Sequence, residues 1–432
     1  MKRNKRPKRQ SGQLYWANLL HFYQPPGQDK DILNKVVDES YHPVLRIFEQ
    51  VPSAKATINI PSCLIELLIK NGLGKIVVRL KKLAESRQIE FTATPRFHPF
   101  LPFIPDDEID RQVAQNDKIS KKYFGLHFSP NGFYSPELAY NSDIAKAAVR
   151  FGYRWLAVDE IAITGRLGQL PYDAVYMDKS AGGLVLVPRN RRISEALAGS
   201  IFSGDDIMSP SDFHELVKGL GSAKGGSRKY VFTANDVEHF GHHQRGRQNL
   251  MRLLYKDTRL VSVTVSELLN NIRKKEHCNP KISDWTSTTD EVRRKKVFYT
   301  WNDPSNKIHR ALWELYRIAF DEIKNGIQSG DILHNKAHDM LEEAAPSCSF
   351  FWASCRPWWY GVYPEKAATN ICLALFSLMA PSPKVKEKAF KLRQKIFELV
   401  KQYNETGEAK KLQQKYLKSR GIDVKGFYKR FG

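Results

Sequence analysis

From residue 14 to about residue 266, short runs rich in β-branched and aromatic residues alternate with segments of helical spacing. The strand-like runs are 14–22, 56–60, 89–94, 131–135, 154–158, 184–188, 230–235 and 260–265, with amphipathic stretches such as 62–70, 73–85, 106–123 and 141–150 between them. Such alternation predicts parallel strands joined by helical crossovers. Polar residues punctuate the runs: His21, Asn59, His98, Glu137, Asp159 and Asp236 each stand at or just past a C-terminal end. In a parallel α/β barrel that rim carries the functional side chains. A doubly wound sheet also alternates, but it opens on a glycine-rich phosphate turn. The first turn here is Gln24-Pro25-Pro26-Gly27, so a barrel fits better.

After residue 270 the strand signals fade. Asp303-Pro304 predicts an N-cap followed by proline at the first helical position. Ile308, Leu312, Leu315, Ala319, Ile323 and Ile327 then recur at helical spacing. A second helix is expected after Pro364. A third places Val385, Ala389, Leu392, Ile396, Leu399 and Tyr403 on one face. The expected organisation is a basic, unstructured tail over 1–13, a barrel over 14–270 and a helical domain over 271–432. A flexible loop is expected over 219–228.

At 432 residues the chain can bury a large core. No apolar run approaches the roughly 20 residues of a membrane span, and Ile371 to Ala380 suits a buried helix better. The basic start, MKRNKRPKRQ, is not followed by the apolar core of a signal peptide. Five cysteines, scattered and without a CxxC pair, point to reduced thiols in the cytoplasm and away from a thiolate metal site. The net charge of +22 is concentrated at the ends: residues 1–10 carry six Lys/Arg and no acid, and residues 381–432 carry fifteen Lys/Arg against five acids. A nucleic acid or other polyanion would therefore be held only through the basic termini. A solubilising tail and a solvated helix face are the simpler account.

Two segments carry the chemistry. Gly132-Phe133-Tyr134-Ser135-Pro136-Glu137 ends a strand on a carboxylate, and Asp236 leads a crowd of Asn235, Glu238, His239, His242 and His243 at another strand end. Crowding and burial there should push the titration of these groups apart. Two carboxylates from separate strands suit cleavage of a sugar acetal, one attacking the anomeric carbon while the other protonates the leaving oxygen. Each feature has a plainer account. A Pro-Glu pair often makes a surface turn, the acidic and histidine crowd could bind a metal or cap a helix, and His21 and His98 could be structural. His21 with Gln24 could also hold sugar hydroxyls. The rings of Trp352, Trp358 and Trp359 stack on pyranose faces or pack helices together.

The ordered set of segments resembles glycoside hydrolase family 57, the retaining α-glucan-active family of amylases, 4-α-glucanotransferases and branching enzymes. His21-Phe22-Tyr23-Gln24-Pro25 is similar to its first motif, His-x-His-Gln-Pro, and His98-Pro99-Phe100-Leu101-Pro102 to its second. Residues Gly132 to Glu137 resemble Gly-Phe-Trp-x-Pro-Glu, and Asp236 to His243 resemble Asp-x-Glu-x-x-Gly-x-His. A tryptophan-rich stretch over 348–359 is similar to a late helical motif. The resemblance implies an α/β fold, an incomplete (β/α)7 TIM-like barrel followed by a C-terminal α-helical domain that completes the site. It makes Glu137 the nucleophile and Asp236 the general acid/base. His21, Gln24, His98, Tyr134, Glu238, His242, Trp352 and Trp358 would surround the oligo- or polysaccharide substrate, with no metal and no cofactor.

Two positions depart from the family pattern. Tyr23 replaces the second histidine of the first motif, and Tyr134 the tryptophan of the third. Both changes keep a ring and a polar atom, so the sugar bound need not be starch. Two other classes stay open. One is a metal-dependent polysaccharide deacetylase or mannosidase-like hydrolase, in which Asp236 with His21, His98 or His242 holds a divalent ion. The other is a non-catalytic protein binding glycan or RNA.

Overall fold

The structure, a computed structural model, describes residues 14–219, 230–328 and 332–431. The expected tail over 1–13 and all but the first residue of the loop over 219–228 lie outside the described residues. The chain divides into two compact units, one comprising residues up to 96 and 101–297, the other 97–100 and 298–432.

Among the described residues the first unit holds ten strands: β1 (Leu14–His21), β2 (Ala56–Asn59), β3 (Ile89–Phe91), β4 (Gly132–Tyr134), β5 (Trp155–Asp159), β6 (Val175–Asp178), β7 (Leu184–Arg189), β8 (Tyr230–Asp236), β9 (Leu260–Val263) and β10 (Lys275–Cys278). Parallel pairing runs β8-β1-β2-β3 in one sheet and β4-β5-β7 in the other. A parallel bridge between Ala93 and Phe133 joins the two series. Seven parallel strands thus follow one another in the order β8-β1-β2-β3-β4-β5-β7. At the seam, Asn190 N–H donates to Phe232 O at 2.8 Å. This is an α/β fold with a curled, incomplete barrel.

All eight strand-like runs of the sequence form strands. β6, antiparallel to β7, and β10, parallel to β6, extend the sheet beyond them. The edge strand β10, KEHC, carries no apolar run and its lysine and histidine are exposed, whereas β6, VYMD, offers only the three apolar residues Val175 to Met177. An edge with one wet face lacks the hydrophobic signature of a buried parallel strand. β10 lies past residue 270, and its compact unit runs to residue 297.

Period-two pleating divides each strand between two environments. Leu14, Trp16, Leu20 and Phe22 join Val44, Phe48, Leu250, Leu254 and Tyr255 in the core between sheet and helices. The alternate residues Tyr15, Ala17, Leu19 and His21 face the barrel interior. At β4, Gly132 stands opposite Trp155, and a Cβ there would lie 1.9 Å from the indole ring. Only glycine admits this approach. The crossover helix Asp106–Phe124 carries three acids in its first turn and Lys121 and Lys122 in its last, matched to the helix dipole.

The second unit is helical, with Lys307–Gln328, His334–Ala344, Ser347–Phe351, Val362–Phe376, Pro383–Glu405, Glu408–Ser419 and Val424–Phe431. Ile308, Leu312, Leu315, Ala319 and Ile323 are buried, as their spacing predicts. The expected cap is displaced. Asp303 Oδ1 accepts from Ser305 N in the preceding turn, and Asn306 Oδ1 accepts from the N–H groups of Ile308 and His309. An asparagine just inside a proline turn outcompetes the earlier Asp-Pro for the helix end. Pro364 falls within the first turn of its helix and not before it. Among the described residues no helix is long and apolar enough to cross a membrane.

Candidate active site

β1 and β8 run side by side with His21 and Asp236 as Cα partners, so both side chains leave the same face at the same height. His21 is 4% exposed, and burial lowers its pKa although Asp236 opposes that shift. Its Nδ1 lies 2.6 Å from Asn59 Oδ1, while Asn59 Nδ2 donates to Thr92 Oγ1 at 2.7 Å. Because the Asn59 amide nitrogen is committed to Thr92, its oxygen receives the His21 Nδ1–H, which fixes the tautomer with Nε2 as acceptor. The His21 ring stacks on Tyr134 at 4.8 Å and on Tyr23 at 5.7 Å. The two positions that depart from the family pattern therefore both pack on the one histidine of the first motif.

Asp236 is the exposed carboxylate of the β8 end, with 57% of its side chain accessible and His239 Nε2 at 4.0 Å. Two residues on, Glu238 is buried. Gln24 Nε2 donates to its Oε1 at 3.1 Å and Tyr41 OH at 2.5 Å. Burial, then the neighbouring Asp236, pushes the Glu238 carboxyl up to about 8 despite these donors. Glu238 therefore holds a proton at neutral pH. Gln24 also accepts from Gln28 Nε2 at 2.7 Å, so it braces Glu238. His242 turns to Glu39, with Nδ1 2.6 Å from Oε2.

Glu137 follows β4 in a tight turn closed by bonds from Leu138 N to Ser135 O and from Ala139 N to Pro136 O. It occupies the left-handed region at φ 63° and ψ 17°, which is unfavourable for a residue with a Cβ. Strain of this kind persists where the surroundings over-determine it. Here Trp285 does so: its indole N–H donates to Glu137 Oε2 at 2.7 Å and its main-chain N–H to Glu137 O at 3.2 Å. Tyr134, buried three residues before Glu137, stacks on His21, the Cα partner of Asp236. Burial raises its phenol pKa well above 10, and the charges of Asp236 and Glu137 raise it further, with Arg189 opposing.

Trp285 is itself held from below. Arg191 forms a bidentate pair with Asp159 (2.7 and 3.0 Å), and its remaining donors reach Ser287 O at 2.7 Å and Asp284 O at 3.3 Å. These carbonyls flank Trp285 in the chain, so the buried guanidinium pins the loop that positions the indole. Asp284 closes the loop by accepting from Thr286 N and Ser287 Oγ.

The first unit thus carries His21, Gln24, Tyr134, Glu137, Asp236 and Glu238 at the C-terminal ends of β1, β4 and β8, with His242 set toward Glu39. His98, Trp352 and Trp358 belong to the second unit. His98 Nδ1 lies 2.9 Å from Ser347 Oγ, and Ser347 N donates to His98 O at 2.9 Å. Trp352 stacks on Tyr363 at 5.8 Å and meets Trp358 edge-on at 5.9 Å, while Trp358 packs on Phe427. Trp285, Tyr41 and Arg191 were not singled out in the sequence. Trp285 sits in Asp284-Trp285-Thr286-Ser287, a polar turn with no periodic signal, and only the three-dimensional contact marks it.

The family model described as glycosyl hydrolase family 57 matches residues 9–282. Alpha-amylase 1 of Dictyoglomus thermophilum is 26% identical over 147 residues, 34% of this chain and 21% of that protein. The 4-alpha-glucanotransferase of Thermococcus litoralis is 22% identical over 141 residues, 33% of this chain and 21% of that protein. The chain therefore aligns with only a small part of the length of these curated relatives. Among solved structures, the GH57-type branching enzyme of Pyrococcus horikoshii superposes with a TM-score of 0.67 at 16% identity, covering 89% of this chain and 95% of that one. The alpha-amylase AmyC of Thermotoga maritima gives 0.62 at 15% identity, covering 95% and 97%. At such identities the superpositions establish the fold.

Proposed function

The chain belongs to glycosyl hydrolase family 57, and on that premise we propose that it cleaves or transfers α-linked glucan or a related oligosaccharide with retention. Glu137 attacks the anomeric carbon while Asp236 protonates the departing oxygen, giving a glycosyl-enzyme. Asp236 then takes the proton of water or of an acceptor sugar hydroxyl, and the second displacement restores the configuration. The observation that carries this reading is His21, the Cα partner of Asp236, whose ring stacks at 4.8 Å on Tyr134, three residues before Glu137. Trp285 supports the nucleophile's role by fixing one oxygen of Glu137. Glu238, protonated at neutral pH, places no second negative charge beside Asp236. His21, with Nε2 as acceptor, suits a sugar hydroxyl.

The test is a product profile on maltoheptaose and on an α-galactoside, with anomer configuration followed by NMR. Shorter products of retained configuration mean hydrolysis, and longer ones mean transfer. Glu137→Gln is expected to bind the oligosaccharide and not turn it over. Inverted products, or full turnover by Glu137→Gln, would overturn the assignment. Loss of turnover on chelation would instead favour a metal-dependent hydrolase.

A further inference from the structure

A cavity of about 920 Å³ opens in the second unit, and its lining residues all belong to that unit. Its volume suits a small molecule. Arg356 lines it with 21% of its side chain exposed. The guanidinium packs over the Tyr299 ring at 5.2 Å and the Tyr416 ring at 5.7 Å, and the Arg356 main-chain N–H donates to Ser354 Oγ at 3.1 Å. Arg420 donates twice to the Tyr416 hydroxyl, at 2.9 and 3.1 Å, so that ring is itself fixed. Lys307 and Lys415 line the same cavity. Both are exposed, and among the described residues neither forms an ion pair. Lys307 opens the helix Lys307–Gln328, where a cation opposes the helix dipole, so helix stability does not account for its charge.

Two acids line the cavity, and the fold already engages both. Asp303 accepts from Ser305 N at 2.8 Å and from Ser305 Oγ at 2.6 Å, with Arg356 NH2 at 3.5 Å. Glu408 begins the helix Glu408–Ser419, where the helix dipole favours a carboxylate. The two lysines are thus left to a ligand. We propose that this cavity binds a small phosphomonoester, whose phosphate engages Arg356, Lys307 and Lys415 and whose organic body lies against Tyr299 and Tyr416. A phosphomonoester carries about 1.5 to 2 negative charges at neutral pH, which suits three cations better than a single carboxylate does. The planar guanidinium fork matches phosphate oxygens. A neutral sugar would leave the lysine charges unmatched, and a bare phosphate ion would fill only a small part of the volume. Esters of a sugar and of a nucleoside share this chemistry, and the experiment separates them. None of these residues takes part in the double displacement, so the inference stands apart from that reading.

Isothermal titration calorimetry on the full-length chain tests it, with glucose 1-phosphate and AMP as probes and inorganic phosphate as the control. At least one ester is expected to bind, and more tightly than inorganic phosphate; the tighter ester identifies the body as sugar or nucleoside. Lys307→Ala/Lys415→Ala alters two exposed side chains and should fold as the parent does, with ester binding weakened about tenfold. Arg356→Lys keeps the charge and loses the fork, and should weaken binding as well. Circular dichroism checks that both variants fold. No binding of either ester, or ester affinity unchanged in the double variant, would overturn the proposal. Inorganic phosphate bound as tightly as the esters would overturn it too, by reducing the site to a simple anion contact. Binding of a short single-stranded RNA that is lost in the double variant, with no ester binding, would assign the lysines to a nucleic-acid surface instead. This readout needs no turnover, so a chain inert on every glucan would overturn the proposed function and leave the binding result standing.

Discussion

Trp285 and Glu137, 148 residues apart in the chain, are joined by an indole N–H···Oε2 bond of 2.7 Å. A second bond, from Trp285 N to Glu137 O at 3.2 Å, depends on the main chain alone. Trp285→Phe therefore removes the first and keeps the second. A hydrogen bond to a charged group contributes about 1.5–3 kcal/mol. Its loss at an attacking carboxylate should lower kcat on maltoheptaose about ten- to a hundredfold, with KM little changed. Steady-state kinetics on the variant check this, and an unaltered kcat would separate the indole from the chemistry.

Glu238 gives a prediction about stability and pH. Its carboxyl titrates at about 8 in the folded chain, against an ordinary value of 4.5. Between those values the folded chain holds a proton that the unfolded chain releases. Stability therefore falls as pH rises through that window, by up to about 1.4 kcal/mol per pH unit. Glu238→Gln lacks this titration. Its melting temperature should gain on the parent between about pH 6 and pH 9. A constant difference across that range would mean that Glu238 is not kept protonated. Tyr41→Phe, which removes a donor to Oε1, should push the Glu238 carboxyl higher still.

Much of this architecture is legible in the sequence because parallel strands are buried on both faces and read as apolar runs. LYWANLLH and YVFTAND announce β1 and β8, and the residues at their ends, His21 and Asp236, are the ones the register pairs. The helix Ser62–Lys70 falls on its expected boundaries. The illegible parts are those whose signal is tertiary. β10 is a polar edge, Trp285 lies in a short loop, and Tyr41 ends a turn of π-helix at Val37–Tyr41 with nothing local to tie it to Glu238. Asp303-Pro304 reads as the cap, but the helix starts later, where Asn306 accepts from the amides of Ile308 and His309 while Asp303 holds the turn before it.

Arg191 tests whether the loop bearing Trp285 is positioned from below. Lysine keeps the charge at residue 191 but cannot make the bidentate pair with Asp159 and reach the carbonyls of Asp284 and Ser287 as well. Arg191→Lys is expected to lose about 3 kcal/mol of stability, as when a buried pair is broken. Its residual activity should fall further than that of Trp285→Phe, because both bonds from Trp285 to Glu137 loosen. Urea unfolding and kcat on the folded fraction measure the two effects. A stable variant with parental kcat would show that the loop holds itself.

Gly132 connects the packing of the barrel to the placement of the carboxylate. It begins β4, five residues before Glu137, and a Cβ added there would come within 1.9 Å of the Trp155 ring. Trp155 is 1% exposed, and its Nε1 reaches Ser266 Oγ at 3.4 Å, so the indole has little room to retreat. In Gly132→Ala either the indole shifts or β4 moves off β5. Overpacking of this kind costs about 1–3 kcal/mol, and displacement of β4 carries the Glu137 turn with it. The variant should unfold at lower urea and show reduced kcat. Trp155→Phe in the same chain removes the outer ring of the indole, and should recover part of both. Parental stability in Gly132→Ala would mean that the close approach of Gly132 to Trp155 does not constrain the strand.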